Sequence, residues 1–298
     1  VQGKEGRAEK YLTDWIADRT VEYLARPHQR PFFLWVGLRG PQKEPLYPPD
    51  TEKLYPPDSI VLPESVKMAP DQRPQPLNDS LPARQFREMN EQRIREARSK
   101  YYAMITHTDE RIGRILKRVD ELSLREKTVI IFTADHGYCL GDHQLFSSGP
   151  GFYEEMIRVP LVVRYGGVAE PDRRIDRIVS LLDIAPMCLD LAGVSVPMAM
   201  QGRSLLNLLH DPRSRDHADE SFIEFDKQDN ITCKVRGLVT SHYKFIEYSQ
   251  GKELYDLKRD PRELHNASGD SEYAPVVKVL VSRLKRWQIV TRDPEYKK

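Results

Sequence analysis

Asp135 and His136 stand side by side at the end of the run "TVIIFTA", with Gly137 directly after them. A carboxylate oxygen beside an imidazole nitrogen can share one divalent cation, the carboxylate suiting hard ions and the imidazole widening the choice. Two donors do not complete a site. Calcium takes six or more oxygens and zinc three or four ligands, so other parts of the fold must supply the remainder. The pair also has a plainer reading, in which Asp135 caps the following turn through the backbone and His136 is a solvated loop residue. Position separates the two, because ligands of open α/β sheets gather beyond the carboxyl ends of the strands.

The surrounding elements predict such a sheet. Leu12 to Leu24 repeats apolar residues at helical spacing (Leu12, Trp15, Ile16, Tyr23, Leu24), with Thr13 or Asp14 as its cap. "PFFLWVGL" (Pro31 to Leu38) reads as a buried strand, and the proline-rich passage Pro41 to Pro82 as an irregular loop. One long helix or two follow from Gln85 to Val119, then a strand over Thr128 to Thr133 and another in "RVPLVVRY" (Arg158 to Tyr165). "SLLDIAPMCLDLAGV" (Ser180 to Val194) is helical, stopped at Gly193. This alternation implies an α/β fold, a mainly parallel sheet flanked by helices. From about Asp219, "FIEF", "CKVRGLVTS" and "HYKFIEY" alternate as strands, and Pro275 to Trp287 forms a last helix with Val276, Val279, Leu280 and Leu284 on one face. The expected domains are therefore residues 1–217, α/β, and 218–298, a smaller antiparallel sheet plus helix.

With 39% hydrophobic residues, the 298-residue chain can bury a large core. Its 46 basic and 45 acidic side chains leave a net charge of +1, so no broad field invites nucleic acid or an anionic membrane surface. No window of about 18 apolar residues is present, so no membrane span is expected. Cys139, Cys188 and Cys233 lie far apart without a Cys-x-x-Cys pair, against both a disulfide scaffold and a zinc knuckle. Asn78, Asn230 and Asn266 open glycosylation triplets of the kind found in secreted proteins.

The stretch "TADHGYCLGDH" followed by "FYEEMIRVPLVVRYGG" resembles the sulfatase family of the alkaline-phosphatase superfamily. "PFFLWVGL", "YYAMITHTDERIGRIL", "SLLDIAPMCLDLAGV", "GRSLLNLL" and "ELYDLKRDPRELHN" match further family stretches in the family's order. The resemblance implies an alkaline-phosphatase-like fold and hydrolysis of sulfate esters by a formylglycine nucleophile, made from cysteine in a Cys-x-Pro/Ala-x-Arg motif. It implies a divalent metal ion, usually calcium, with Asp135 and His136 as two of its ligands. The expected partner is a sulfated small molecule or glycan, in a secreted, periplasmic or lysosomal setting.

Several family features are missing or replaced. None of the three cysteines fits the nucleophile motif, so the nucleophile is expected N-terminal to Val1, on a preceding segment or a second chain. The family's catalytic histidine falls near Gln42, and an amide cannot serve as a proton donor to a leaving oxygen. Its sulfate-binding lysine falls at Ser147 to Gly149. Lys43 is a candidate cation nearby, and His143 a candidate to support the metal or to donate a proton, each with the alternative of a solvated loop residue. Cys139 reads as a small buried hydrophobe, Asp183 as a helix-start residue, and Asp109 and Arg111 as a solvated face. Tyr255, Asp256, Asp260 and Pro261 read as turn and packing residues. The 298 residues alone are expected to be inactive. Two other readings stay open: a phosphodiesterase or phosphonate monoester hydrolase of the same superfamily, and a non-catalytic sulfatase-like binder.

Overall fold

The computed structural model describes residues 11–42, 49–68, 73–169, 172–214, 217, 219–226 and 234–294. Contacts group the chain into two compact units, Val1–Leu62 with Met89–Val129, and Pro63–Glu88 with Ile130–Lys298.

The first unit is built on two helices, α1 (Leu12–Leu24) and α3 (Glu91–Glu121). The side chain of Asn90 accepts the Arg93 amide at 2.8 Å and caps α3. No side chain caps α1, whose expected cap Asp14 instead pairs with Arg111 of α3. The buried row of α1 is Thr13, Ala17, Thr20 and Leu24, spaced by three and four residues, while Trp15 stays 42% exposed. The expected strand Pro31 to Leu38 pairs with nothing among the described residues, and Phe33 and Trp35 on it are 72% and 75% exposed. Apolar composition predicts the burial a strand would give, but only a partner's amide groups make an extended segment a strand.

The proline-rich passage is more ordered than its composition predicts, with helical turns at Pro49–Glu52, Pro57–Ser59, Glu64–Lys67 and Gln75–Asn78. Proline, already lacking an amide proton and fixed near helical φ, starts such turns readily. In the second unit these lead into α2 (Leu81–Arg87), capped by Ser80.

The rest of the second unit holds three antiparallel sheets among its described residues. Strands β1 (Ile130–Thr133) and β4 (Leu161–Arg164) pair with Ile131 opposite Val163. The parallel pairing expected of the α/β layer is thus not in the described ladders; mixed sheets commonly carry an antiparallel strand at an edge. Between them come β2 (Cys139–Leu140), β3 (Phe146–Ser147) and the single-turn α4 (Glu154–Ile157). Helices α5 (Ile184–Leu191) and α6 (Leu206–His210) follow, and Gly193 (φ +68°) ends the α5 segment in the left-handed conformation that glycine adopts without penalty.

The C-terminal sheet holds the three expected strands, β5 (Glu220–Phe225), β6 (Val235–Thr240) and β7 (Tyr243–Tyr248), and a fourth, β8 (Lys252–Asp256), where turn and packing residues were expected; they run in sequence order, with α7 (Ala274–Thr291) beside them. Strand alternation divides its residues between two cores. Leu238, Phe245 and Leu254 meet Val277, Leu280 and Leu284 of α7, with the expected Val279 turned outward. Val235, Ile246, Tyr248 and Tyr255 meet Cys139, Leu145, Phe152, Tyr153 and Met156. The second core fixes the loop after β1 against the sheet.

Candidate metal centre

Asp135 and His136 emerge two residues beyond β1. Oδ1 of Asp135 accepts the His136 backbone amide at 2.9 Å, so this carboxylate does cap its own turn. Capping uses one oxygen and leaves Oδ2 for a cation. Nδ1 of His136 donates to the Gly137 carbonyl at 2.8 Å; a carbonyl only accepts, so Nδ1 carries a proton and, in the neutral ring, Nε2 is the nitrogen with the lone pair. Nε2 lies 3.9 Å from Asp135 Oδ2, and the two side chains are 52% and 90% exposed. A carboxylate oxygen and an unprotonated imidazole nitrogen on one face of a turn fit a divalent ion, with the tautomer fixed by a backbone carbonyl as in most histidine-ligated sites. Further donors must come from other residues.

Behind this turn lies an ionic cluster, buried at His143, Lys244 and Glu263 and partly exposed at Glu154 and Glu155. His143, Glu155 and Glu263 bring donor atoms within 4.8 Å of one another. His143 is fully buried, 3.3 Å from Glu155 through Nε2, with its ring stacked on Tyr153 at a centroid distance of 3.8 Å. Lys244, on the inward row of β7, sets its ammonium 2.5 Å from Glu263 and 2.8 Å from Glu154. Glu263 also accepts the Glu154 amide at 2.8 Å. Beneath them Glu253 accepts from the hydroxyls of Tyr153 and Tyr248 at 2.9 and 2.8 Å.

Burial raises the carboxyls of Glu253 and Glu263 above the usual range, against the lowering pull of the two tyrosines on the first and of Lys244 on the second. Burial also pushes Glu155 up, yet its close pairing with His143 outweighs it and holds this carboxyl below its ordinary value. Glu253, Glu263 and Lys244 are absent from the sequence-based candidates. A charged residue on the inward row of a strand looks the same in sequence as one on the outward row until the register is known.

The other expected residues are placed as follows. Gln42 is exposed and its Oε1 accepts from Arg39 at 3.3 Å; Lys43 lies outside the described residues. Ser148 is half-buried and Cys139 is buried as the small hydrophobe expected, while Cys233 is outside the described residues. Asp183 is structural, its oxygens accepting the amides of Ser180 and Arg203, each at 2.8 Å. Asp109 is exposed, but Arg111 is not a solvated residue: it pairs with Asp14. His143 is no solvated loop residue either, having no exposed surface. Tyr255 is buried, and Asp256 and Asp260 accept loop amides, as turn and packing residues do.

Comparisons with known proteins agree with this architecture. The Sulfatase family matches residues 2–194, and the description "N-sulphoglucosamine sulphohydrolase, C-terminal" matches residues 141–289. An arylsulfatase of Clostridium perfringens is 31% identical over 293 residues, covering 92% of this chain and 58% of the relative. The multifunctional alkaline phosphatase superfamily protein PehA of Trinickia caryophylli is 32% identical over 220 residues, 69% of this chain and 43% of its own. The chain thus spans about half the length of the curated relatives it matches. Among solved structures, BT4656 in complex with its substrate D-glucosamine-2-N,6-O-disulfate superposes with a TM-score of 0.85 at 23% identity, over 99% of this chain and 72% of that one. The phosphonate monoester hydrolase of Agrobacterium radiobacter superposes with a TM-score of 0.81 at 25% identity, over 94% and 60%. The strand-end Asp-His-Gly turn, the α/β fold shared with these neighbours and a family match over well more than half the residues lead to one conclusion: the chain belongs to the sulfatase family.

Proposed function

We propose that the complete protein hydrolyses sulfate esters, with Asp135 and His136 among the ligands of a divalent ion, calcium by family resemblance. When bound, such an ion neutralises the charge that builds on sulfuryl oxygens during displacement. The nucleophile, a formylglycine by the same resemblance, belongs to polypeptide beyond these residues. Asp135 contributes the fixed negative charge that holds the cation. His136 contributes a neutral nitrogen whose direction is set by the Nδ1 bond to Gly137. Gln42 carries no titrating proton, so the proton for the leaving oxygen comes from another group. A hydroxyl at Ser148 gives a neutral donor where the family uses an ammonium. The substrate class is a sulfated saccharide or small sulfated molecule. That class is supported by the match over residues 141–289 and by the disulfated glucosamine bound to BT4656.

The observation that carries this reading is the His136 ring, held at Nδ1 by the Gly137 carbonyl, with Nε2 3.9 Å from Asp135 Oδ2 on an exposed turn. The test is turnover of an aryl sulfate by the full-length protein before and after chelation. Activity should disappear with the metal, return with calcium, and fall by about a hundredfold or more in Asp135→Ala and His136→Ala, as expected for loss of a direct ligand. Metal-independent turnover, or no turnover on any ester with glycan binding retained, overturns it. A phosphonate monoester hydrolase is the second reading, supported by the Agrobacterium neighbour and the Trinickia relative. A higher kcat/KM on a phenyl phosphonate than on the matching sulfate would select it.

A further inference from the structure

The turn that carries Asp135 and His136 rests directly on the backbone of α4. The Gly137 amide donates to the Met156 carbonyl at 2.8 Å. A Cβ at position 137 would come 1.8 Å from the Glu155 carbonyl oxygen and 2.8 Å from its carbon, so no side chain separates the two segments. The placement of Glu155 therefore sets the placement of the turn. Its carboxylate in turn meets the imidazole of His143 at 3.3 Å.

His143 is held from every side. Its backbone is left-handed (φ 52°, ψ 28°), a conformation that a non-glycine residue keeps only where the surroundings enforce it. The Arg73 guanidinium donates to its carbonyl at 2.5 Å, and Tyr153 stacks on its ring at an interplanar angle of 6°. This strained, fully buried residue has the Glu155 carboxylate as its nearer acidic neighbour, with Glu263 in the same cluster. The trio His143, Glu155 and Glu263 could in principle grip a metal of its own. Lys244, however, already sets its ammonium 2.5 Å from Glu263, and a second cation there would face that charge.

We propose that His143 and Glu155 are positioning residues for the Asp135–His136 metal centre. The pair, His143 fully buried and Glu155 partly exposed, holds α4, α4 holds Gly137, and Gly137 aims the two donors. The proposal rests on the metal reading above. Supporting groups of this kind typically change metal affinity by about 10- to 100-fold.

The experiment measures calcium binding by calorimetry on the full-length protein at a temperature where every variant is folded, alongside melting temperature. Glu155→Gln and His143→Gln are expected to weaken calcium binding at least tenfold, with turnover recovered at saturating calcium. Glu155→Asp, which keeps the charge but draws it back from the imidazole, should fall between them and the parent, and it stays informative if a harsher variant misfolds. A purely structural pair would lower the melting temperature and leave the calcium affinity of folded protein unchanged; that result overturns the proposal. If calcium affinity in the parent is indifferent to Asp135→Asn, the metal reading falls and takes this proposal with it. Dependence on Asp135 without dependence on Glu155 or His143 sinks this proposal alone.

Discussion

At the scale of single residues, the cluster behind the Asp-His-Gly turn illustrates what burial does to charge. Lys244 and Glu263 are 0% and 1% exposed, and each depends on the other for compensation. Removing one partner of such a pair typically costs about 3–5 kcal/mol, because the remaining charge stays buried without a counterion. Lys244→Met is therefore expected to destabilise the protein by about that amount in denaturant titration, and Lys244→Met with Glu263→Gln to recover much of the loss. Equal stability of the single and double variants would mean that Glu263 takes up a proton or reaches water in the single variant. Of these residues, Asp135 and His136 were legible in the sequence because a motif marks them. Lys244 in "HYKFIEY" carries no mark, and neither its direction nor its partner can be deduced before β7 is paired with β8.

At the scale of elements, α1 and α3 meet through polar side chains. His107 of α3 is 1% exposed, its Nε2 lies 3.3 Å from Asp14, and the edge of Tyr11 packs at a centroid distance of 5.8 Å. Burial, with the charge of Arg111 added, lowers the His107 pKa below the ordinary histidine value, against the opposite pull of Asp14 and Glu110. The folded protein thus prefers His107 neutral, and the unfolded chain binds a proton more readily. The resulting stability is present above the ordinary value of about 6.5 and is lost as the pH falls below it, through the depressed folded value. His107→Gln should flatten the melting temperature between about pH 6.5 and pH 5 relative to the parent; an unchanged slope would refute it. The sequence located both helices well, since a repeat of three and four residues is local information. The face each presents is less legible. Asp14 reads as a cap in isolation and is a partner for Arg111 once α3 lies beside it.

At the scale of the whole molecule, the described part of the α/β layer is a two-stranded ribbon, β1 with β4. Phe132 and Val162 lie opposite each other and are 42% and 59% exposed. Two strands by themselves are marginal in water, and apolar residues on both faces are what a strand inside a larger sheet carries. The 298 residues expressed alone are expected to bind a hydrophobic dye more strongly than the full-length protein and to give no aryl sulfate turnover. Turnover by this chain alone would contradict a nucleophile located elsewhere.

The amino-acid sequence by itself determined the family, the helices α1 and α3, the strands β1 and β4, the strand-end turn and three strands of the C-terminal sheet. These follow from local periodicity and from residues that recur at fixed spacing. Only the tertiary structure decided that Pro31 to Leu38 forms no ladder among the described residues, and that His143, Glu155, Glu263 and Lys244 converge behind the turn. Each of these depends on pairing between residues far apart in the chain, and strand register and side-chain direction are set only when the partner surfaces meet.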